Sequence, residues 1–368
     1  MKRLLRGGRV LEPSLKLDQL ADVLIVDGKV SAIGAGLTSG GAEVIDVSGC
    51  WVSPGLVDLH SVLRDEVDLE AAVKGGFTTV VAAPESAAVK SARVQVLRAA
   101  PLTRNLEGNE LGEDRPDAVC LSQGFRPLPR AGVLRRALQY AANRRLLVLH
   151  AEDPSLTAGG VIGESLTATR LGLPAVPVAA ETAVIARDLS ILEETGGRLH
   201  FAHVTTARGV ELIRAAKIRG LQVSADVAPH HLTRDTTAAE DYALMGRVWP
   251  PLRSPADLAA LKAALAEGTL DAIACDHVRV DVLDREHAFE ACAPGCEAFE
   301  QAVPAAFHCE LTPARLVEVL SSAPARLLGL SSGVGLGGEA RITVIDPRTR
   351  SVRGTVVGPF SSFPGGTP

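Results

Sequence analysis

The stretch Gly55–Asp65, GLVDLHSVLRD, decides how the rest of the chain is read. It reads as a strand that ends on His60. Residues two apart on a strand share a face, so a second donor for a metal held by His60 would stand at position 62. That position is Val62, whose aliphatic side chain cannot donate.

Working outward, apolar strands alternate with helical stretches between about 51 and 327. TTVVAAP (Thr78–Pro84), RLLVLHAED (Arg145–Asp153), LHFAHVTT (Leu199–Thr206), LQVSADVAPHHL (Leu221–Leu232) and DAIACDH (Asp271–His277) read as strands. GVLRRALQYAANR, AAETAVIARDLSILEETG and ARGVELIRAAKIRG read as helices, each ending near a glycine or a basic residue. This alternation predicts a (β/α)8 barrel of the TIM type. Residues 1–50 carry short strands with Gly-Gly, Asp-Gly and Ser-Gly punctuation, and strands return after the last helix in EARITVIDP and SVRGTVVG. The expected organisation is a small β-domain begun by residues 1–50, a barrel over 51–332, and the β-domain completed by 333–368. Its tail, FSSFPGGTP, is expected to be disordered.

The barrel pattern is distorted near its start. Between TTVVAAP and the next strand candidate, ARVQVLRAAPLT (Ala92–Thr103), stand only Glu85–Ser91, and Asp65–Gly76 holds two or three helical turns. A parallel crossover needs a dozen or more residues, usually a helix. Either a barrel helix is missing at 85–91 or the strand assignment is one element off. Two trimmed crossovers would leave aliphatic wall uncovered, the expected place for an interaction surface.

Composition narrows the function classes. Net charge is −5 with both signs spread along 368 residues, which gives no electrostatic case for nucleic acid or an anionic membrane. No apolar run is long enough to span a bilayer, and MKRLLRGGRVLEP is too short for a signal-peptide core. The six cysteines are scattered; Cys292 and Cys296 are four apart, without a second close pair to complete a structural zinc. Reduced thiols in a cytoplasmic protein are expected. With aromatics at 3%, the core should be aliphatic.

An ordered set of segments carries a resemblance: SPGLVDLHSVLRD, GGFTTVVAAPES, LVLHAEDPSL, LHFAHVTTARGVELIRAAK, VSADVAPHHL, WPPLRSPADLAAL, IACDHVRV and SAPARLLGL. Over nearly its whole length the chain resembles the dihydroorotases of the bacterial long-chain type, in the amidohydrolase superfamily with hydantoinases and allantoinases. The resemblance implies a metal centre. Its strand-1 histidine pair falls on His60 and Val62, and its bridging aspartate, after strand 3 in a Ser-Asp-Asp-Gly-like segment, falls on Gln123. Two further histidines fall on His150 and His203. The strand-8 aspartate, ligand and proton shuttle, falls on Asp276. A two-metal centre would keep two protein ligands per ion, fewer than the three of a catalytic zinc. Neutral Gln123 cannot supply the charge that holds two cations together. A single metal on His60, His150, His203 and Asp276 is the alternative.

The same resemblance places Arg64 on a substrate carboxylate, as a guanidinium fork suits. Glu85 and Trp249 stand where asparagines are expected, and Val280 where a histidine is. The resulting expectation is a non-catalytic dihydroorotase-like protein of pyrimidine biosynthesis, oligomeric, with no cofactor or one zinc at partial occupancy. As the resemblance implies for inactive bacterial homologues, it would support aspartate carbamoyltransferase. The competing reading is a zinc-dependent cyclic amidohydrolase with a mononuclear site. His230 and His231 read as hydrogen-bonded structural histidines. Glu152–Asp153, before Pro154, reads as a loop or helix cap. Ser331–Ala340 reads as a turn, since no Gly-Lys-Ser/Thr follows its glycines.

Overall fold

The computed structural model describes residues 1–142, 144–331 and 334–363. Eight parallel strands make the central sheet: β1 (Leu56–Ser61), β2 (Phe77–Ala82), β3 (Gln95–Pro101), β4 (Cys120–Pro127), β5 (Leu146–His150), β6 (Arg198–Ala202), β7 (Val223–Val227) and β8 (Ala272–Ile273). They lie side by side in chain order and roll into a nearly closed barrel. Among the described residues no strand ladder joins β1 to β8. The seam is held instead by Asp58, whose Oδ1 accepts from the Cys275 N–H at 2.6 Å, and by the Val62 N–H donating to the His277 carbonyl at 2.9 Å.

Strand alternation sorts the core. Leu146 and Val148 share a face with His150 and pack with Val81, Cys120 and Ala202 inside the barrel. Leu147 and Leu149 face the other way, into a cluster with Leu134, Leu138, Val184, Ile185 and Leu189 from the surrounding helices. Those helices are α1 (Glu66–Lys74), α2 (Ala131–Ala141), α3 (Ala179–Thr195), α4 (Ala207–Ile218) and α5 (Pro255–Glu267). The last shows why the sequence starts and stops a helix there. Ser254 and Asp257 form a reciprocal capping box, Pro255 takes the first helical position, and Gly268 ends it in the left-handed region at φ +88°.

The start of the barrel is unusual. The connection Ala83–Val94 between β2 and β3 contains no helix, and β3 to β4 is bridged with only the short turn Arg104–Leu106. Asp65–Gly76 does carry a helix, the nine-residue α1. The wall over these strands is nevertheless not bare, contrary to expectation. Val80, Ala82, Ala100 and Leu121 are buried, because Val89, Val94, Leu102 and Leu111 from the extended connections join their cluster. A loop with its own apolar residues covers what a helix would have covered.

The two chain ends share a second sheet. Trp51–Pro54 lies between Lys2–Glu12 (Val10 opposite Val52) and Arg341–Asp346 (Val52 opposite Val344), which moves the boundary of the small domain from 50 to 54. Leu5, Val10, Val23, Ile25, Ile342 and Val356 form its core. Phe360–Ser362 adds an edge strand, so the first part of the tail is ordered. Residues 332–333 of the glycine-rich stretch and 364–368 of the tail lie outside the described residues.

Candidate metal centre

The C-terminal ends of the barrel strands gather one buried cluster. His60 lies one residue from the end of β1, His150 ends β5, His203 follows β6 and Asp276 follows β8. His203 and Asp276 both sit at positive φ (40° and 53°), sparsely populated for residues other than glycine. Hydrogen bonds hold the first of these turns. The His203 N–H donates to Asp226 Oδ1 at 2.7 Å. Glu181 of α3 accepts from the N–H and hydroxyl of both Thr205 and Thr206.

Asp276 Oδ1 lies 3.0 Å from His203 Nδ1 and 3.7 Å from His60 Nδ1. Donor atoms of these three residues all lie within 4.8 Å of one another. His150 stands one step behind, its Nδ1 2.8 Å from His203 Nε2 and its Nε2 2.6 Å from Glu152 Oε2. The four residues thus converge, with three of them offering atoms to one point.

Asp226 of β7 organises this cluster. Its Oδ2 accepts from His60 Nε2 at 3.0 Å and His200 Nε2 at 2.8 Å, which assigns the Nε2 proton and turns Nδ1 of His60 toward Asp276. Burial opposes ionisation of Asp226, but His60 and His200 outweigh it and hold the carboxyl far below its usual range. Burial likewise lowers His60, yet Asp226, then Asp276 and Asp58, push it up to about 9. Asp276 falls to about 2, because the imidazoles of His203 and His60 outweigh its burial.

His60 Nδ1 and Asp276 Oδ2 are buried with no hydrogen-bond partner. Buried polar atoms are nearly always paired. Two imidazoles and a carboxylate with such orphaned atoms fit one zinc-like ion with an open fourth position. They do not fit two. Val62 lines the cavity above the cluster without a donor. Gln123 lies within the fourth strand rather than after the third, and it is turned away from the cluster. Its Oε1 accepts from Thr103 Oγ1 and its Nε2 donates to the Leu106 carbonyl, both at 2.9 Å. What β4 presents to the site is Phe125, whose ring stacks on His203 at 5.6 Å and meets His60 edge-on at 6.1 Å.

The cavity above the cluster measures about 240 Å³. Val62, Phe125, Val248, Trp249, Val278 and Pro294 make it largely apolar, and Glu85, His230 and Asp276 are its ionisable residues apart from Cys296. Among the described residues no lysine or arginine lines it. Arg64, expected on a substrate carboxylate, is exposed and reaches Asp281 at 3.4 Å, because its own N–H is tied to Asp68 at 2.7 Å and its side chain leaves the barrel mouth. Val278 rather than Val280 faces the cavity. Trp249 donates to Glu152 Oε2 at 2.8 Å, and Glu85 Oε1 accepts the Phe125 N–H at 2.9 Å.

His231 Nε2 donates to the Pro250 carbonyl at 3.0 Å, while its Nδ1 is buried without a partner. His230 departs from its expected structural role. Both its ring nitrogens are buried without a partner at the cavity wall, and burial lowers it to about 4. Asp153 does cap the short helix Pro154–Thr157 through the Ser155 N–H, whereas Glu152 joins His150, Thr157 and Trp249. Asp226, His200, Glu181 and Phe125 were not singled out from the sequence. Asp226 had a signal: a lone carboxylate in the apolar run VSADV must find buried partners.

Solved structures share this architecture. An L-hydantoinase (dihydropyrimidinase) from Arthrobacter aurescens superposes with a TM-score of 0.80 at 24% identity, covering 98% of this chain and 95% of that one. A dihydropyrimidinase from Brevibacillus agri gives 0.79 at 21% identity over the same shares. At these identities the likeness shows the fold, a parallel (β/α) barrel with a small sheet. Sequence goes further. The family model described as dihydro-orotase-like matches residues 49–208. A dihydroorotase of Pelotomaculum thermopropionicum is 39% identical over 381 residues, 94% of this chain and 89% of the relative. One of Anaeromyxobacter dehalogenans is 38% identical, over 93% and 88%. The chain belongs to the dihydroorotase family. No helix among the described residues is long and apolar enough to cross a membrane.

Proposed function

We propose that this chain is a dihydroorotase-family protein of pyrimidine biosynthesis that does not turn over dihydroorotate and instead supports aspartate carbamoyltransferase as a structural partner. The lining of the cavity carries the first half. Dihydroorotate is a carboxylate anion, and against it the described lining sets Glu85, Asp276, apolar walls and one unpaired imidazole, His230, held neutral by burial, with no lysine or arginine. Desolvating a carboxylate without a paired donor costs several kcal/mol. The centre beneath also lacks a bridging carboxylate, so a second cation has nothing to hold it. The partner is carried over from the resemblance to inactive bacterial homologues, and co-elution is what tests it. The test is a hydrolysis assay with added zinc, metal analysis of protein purified without chelator, and co-elution with the cognate carbamoyltransferase. No hydrolysis, well under one equivalent of zinc and a shifted complex are expected. Dihydroorotate turnover abolished by His203→Ala refutes the first half, and unchanged elution refutes the second.

The orphaned atoms of His60 and Asp276 favour one other reading, a mononuclear hydrolase of neutral cyclic amides. A zinc held by His60, His203 and Asp276 would polarise the amide carbonyl and activate water at its open position. Asp226 fixes the His60 ring for that role, and Val62, Phe125 and Trp249 exclude bulk water. One equivalent of tightly held zinc, with hydrolysis of an uncharged cyclic amide, would establish this reading.

A further inference from the structure

A second cavity opens at the other end of the barrel, below the N-terminal ends of β1, β2 and β3 and against the small sheet. Its volume is about 580 Å³, within the range of small-molecule sites. Thr78 and Gln95 enter it from β2 and β3, Ser322 from the π-helical turn Glu318–Ser322, Arg326 from the helix Ala323–Leu327, and Glu339 and Arg341 from the small domain.

Two observations set it apart from a packing gap. Thr78 Oγ1 and Ser322 Oγ are buried without a hydrogen-bond partner, in residues only 1% and 7% exposed. Most other orphaned atoms belong to the metal centre and its wall, at His60, His230, His231 and Asp276. Unpaired groups therefore collect at both ends of the barrel. The neighbouring Ser321 is satisfied, donating to the Gly55 carbonyl at 2.9 Å. The π turn that places these serines is a rare geometry, found frequently at functional sites. The charges also have a direction. Arg341 donates to the Thr78 carbonyl at 3.3 Å and to Glu339 at 2.6 Å, while Arg326 is exposed and only loosely held, 3.5 Å from Glu318. With Arg341 paired to Glu339, Arg326, only loosely held by Glu318, is the guanidinium left open to an anion.

We propose that this cavity binds a small phosphate monoester bearing hydroxyl groups, of sugar-phosphate or mononucleotide size. Arg326 and Arg341 receive the phosphate, as planar forks suit. The hydroxyls of Thr78 and Ser322 bond to the ligand. The site is independent of the metal centre and of the proposed role of the chain.

Calorimetric titration of the full chain with ribose 5-phosphate, uridine 5′-monophosphate, ribose and inorganic phosphate tests this. At least one ester should bind tenfold or more tightly than inorganic phosphate, and ribose should not bind. The ester that binds distinguishes a sugar-phosphate from a nucleotide site. Arg326→Gln should weaken it by about tenfold, the loss of one charge-assisted hydrogen bond. Thr78→Val should weaken it while leaving the melting temperature of the ligand-free chain equal or higher, because the hydroxyl it removes has no partner. A purely structural hydroxyl would instead lower the melting temperature and leave affinity alone. That result, no ester binding at about 10 mM, or equal binding of phosphate and ester, an adventitious ion only, would overturn the proposal.

Discussion

Replacing Asp226 by asparagine probes how the metal centre is held. Three buried donors converge on this carboxylate: His60 Nε2 and His200 Nε2 on Oδ2, and the His203 N–H on Oδ1. Asparagine has one acceptor oxygen. Placed toward the imidazoles, it sets its own NH2 against the His203 N–H; flipped, it sets that NH2 against two ring N–H groups. Either way at least one buried donor is orphaned, at about 1–3 kcal/mol each, and the charge that raises His60 is gone. A loss of about 2–4 kcal/mol would lower the melting temperature by roughly 3–5 °C in a chain of this size. Calorimetry reads that shift. Histidine nitrogen NMR reads a second consequence: without the carboxylate that holds it up, the His60 imidazolium should lose its proton at lower pH than in the parent. Zinc affinity, measured by chelator competition, should fall about 10- to 100-fold as for other supporting carboxylates. An Asp226→Asn protein that melts within about 1 °C of the parent, with the His60 titration unchanged, would refute this account of the site.

Gln123→Ala should cost about 1–3 kcal/mol by stripping partners from Thr103 and Leu106 while leaving metal content unchanged; altered metal content at unchanged stability would return Gln123 to the site. Burial pushes Asp188 up to about 6 despite Arg187, so the folded chain binds this proton more tightly than the unfolded one. Stability from this group therefore rises as pH falls through about 6 toward the unfolded value near 4, by about 3 kcal/mol in all. Urea unfolding of Asp188→Asn should lose that slope, and an identical slope in both proteins would contradict it. Gly124 combines φ +66° with a position where an added Cβ would collide with Glu85 Oε1, so Gly124→Ala should destabilise by about 1–2 kcal/mol. A variant as stable as the parent would show that Glu85 and Phe125 can be repositioned freely.

Much of the barrel was legible because parallel strands buried on both faces leave continuous apolar runs such as RLLVLH and DAIAC. The missing crossover helix was visible as a shortage of residues, but the fate of the wall was not. Whether Val89, Val94 and Leu102 fold back onto it depends on the path of the loop, which periodicity does not encode. At the site, strand ends located His60, His203 and Asp276, whereas Gln123 and Phe125 traded places. Cys120 lies on the inner face of β4, and simple alternation puts both Gln123 and Phe125 outside. Gly124 at positive φ, where the β4–β5 register shifts, breaks that alternation and turns Phe125 inward. Arg64 escaped for a similar reason, since its direction is set by Asp68 and Asp281, far apart in sequence from each other.

The small sheet also sets a timetable for synthesis. Lys2–Glu12 and Leu17–Val26 can form their hairpin as soon as they leave the ribosome, but Trp51–Pro54 remains an open edge on one side until Arg341–Asp346 arrives. Ser53 and Thr343, bonded at 3.1 Å, are 290 residues apart. At roughly 5–20 residues per second, that edge waits on the order of tens of seconds. An unpaired strand of Trp51 and Val52 is a template for pairing with another nascent chain. Its protection in the cell falls to chaperones or to early docking on the growing barrel, and a strand made some 290 residues later is the one that closes it.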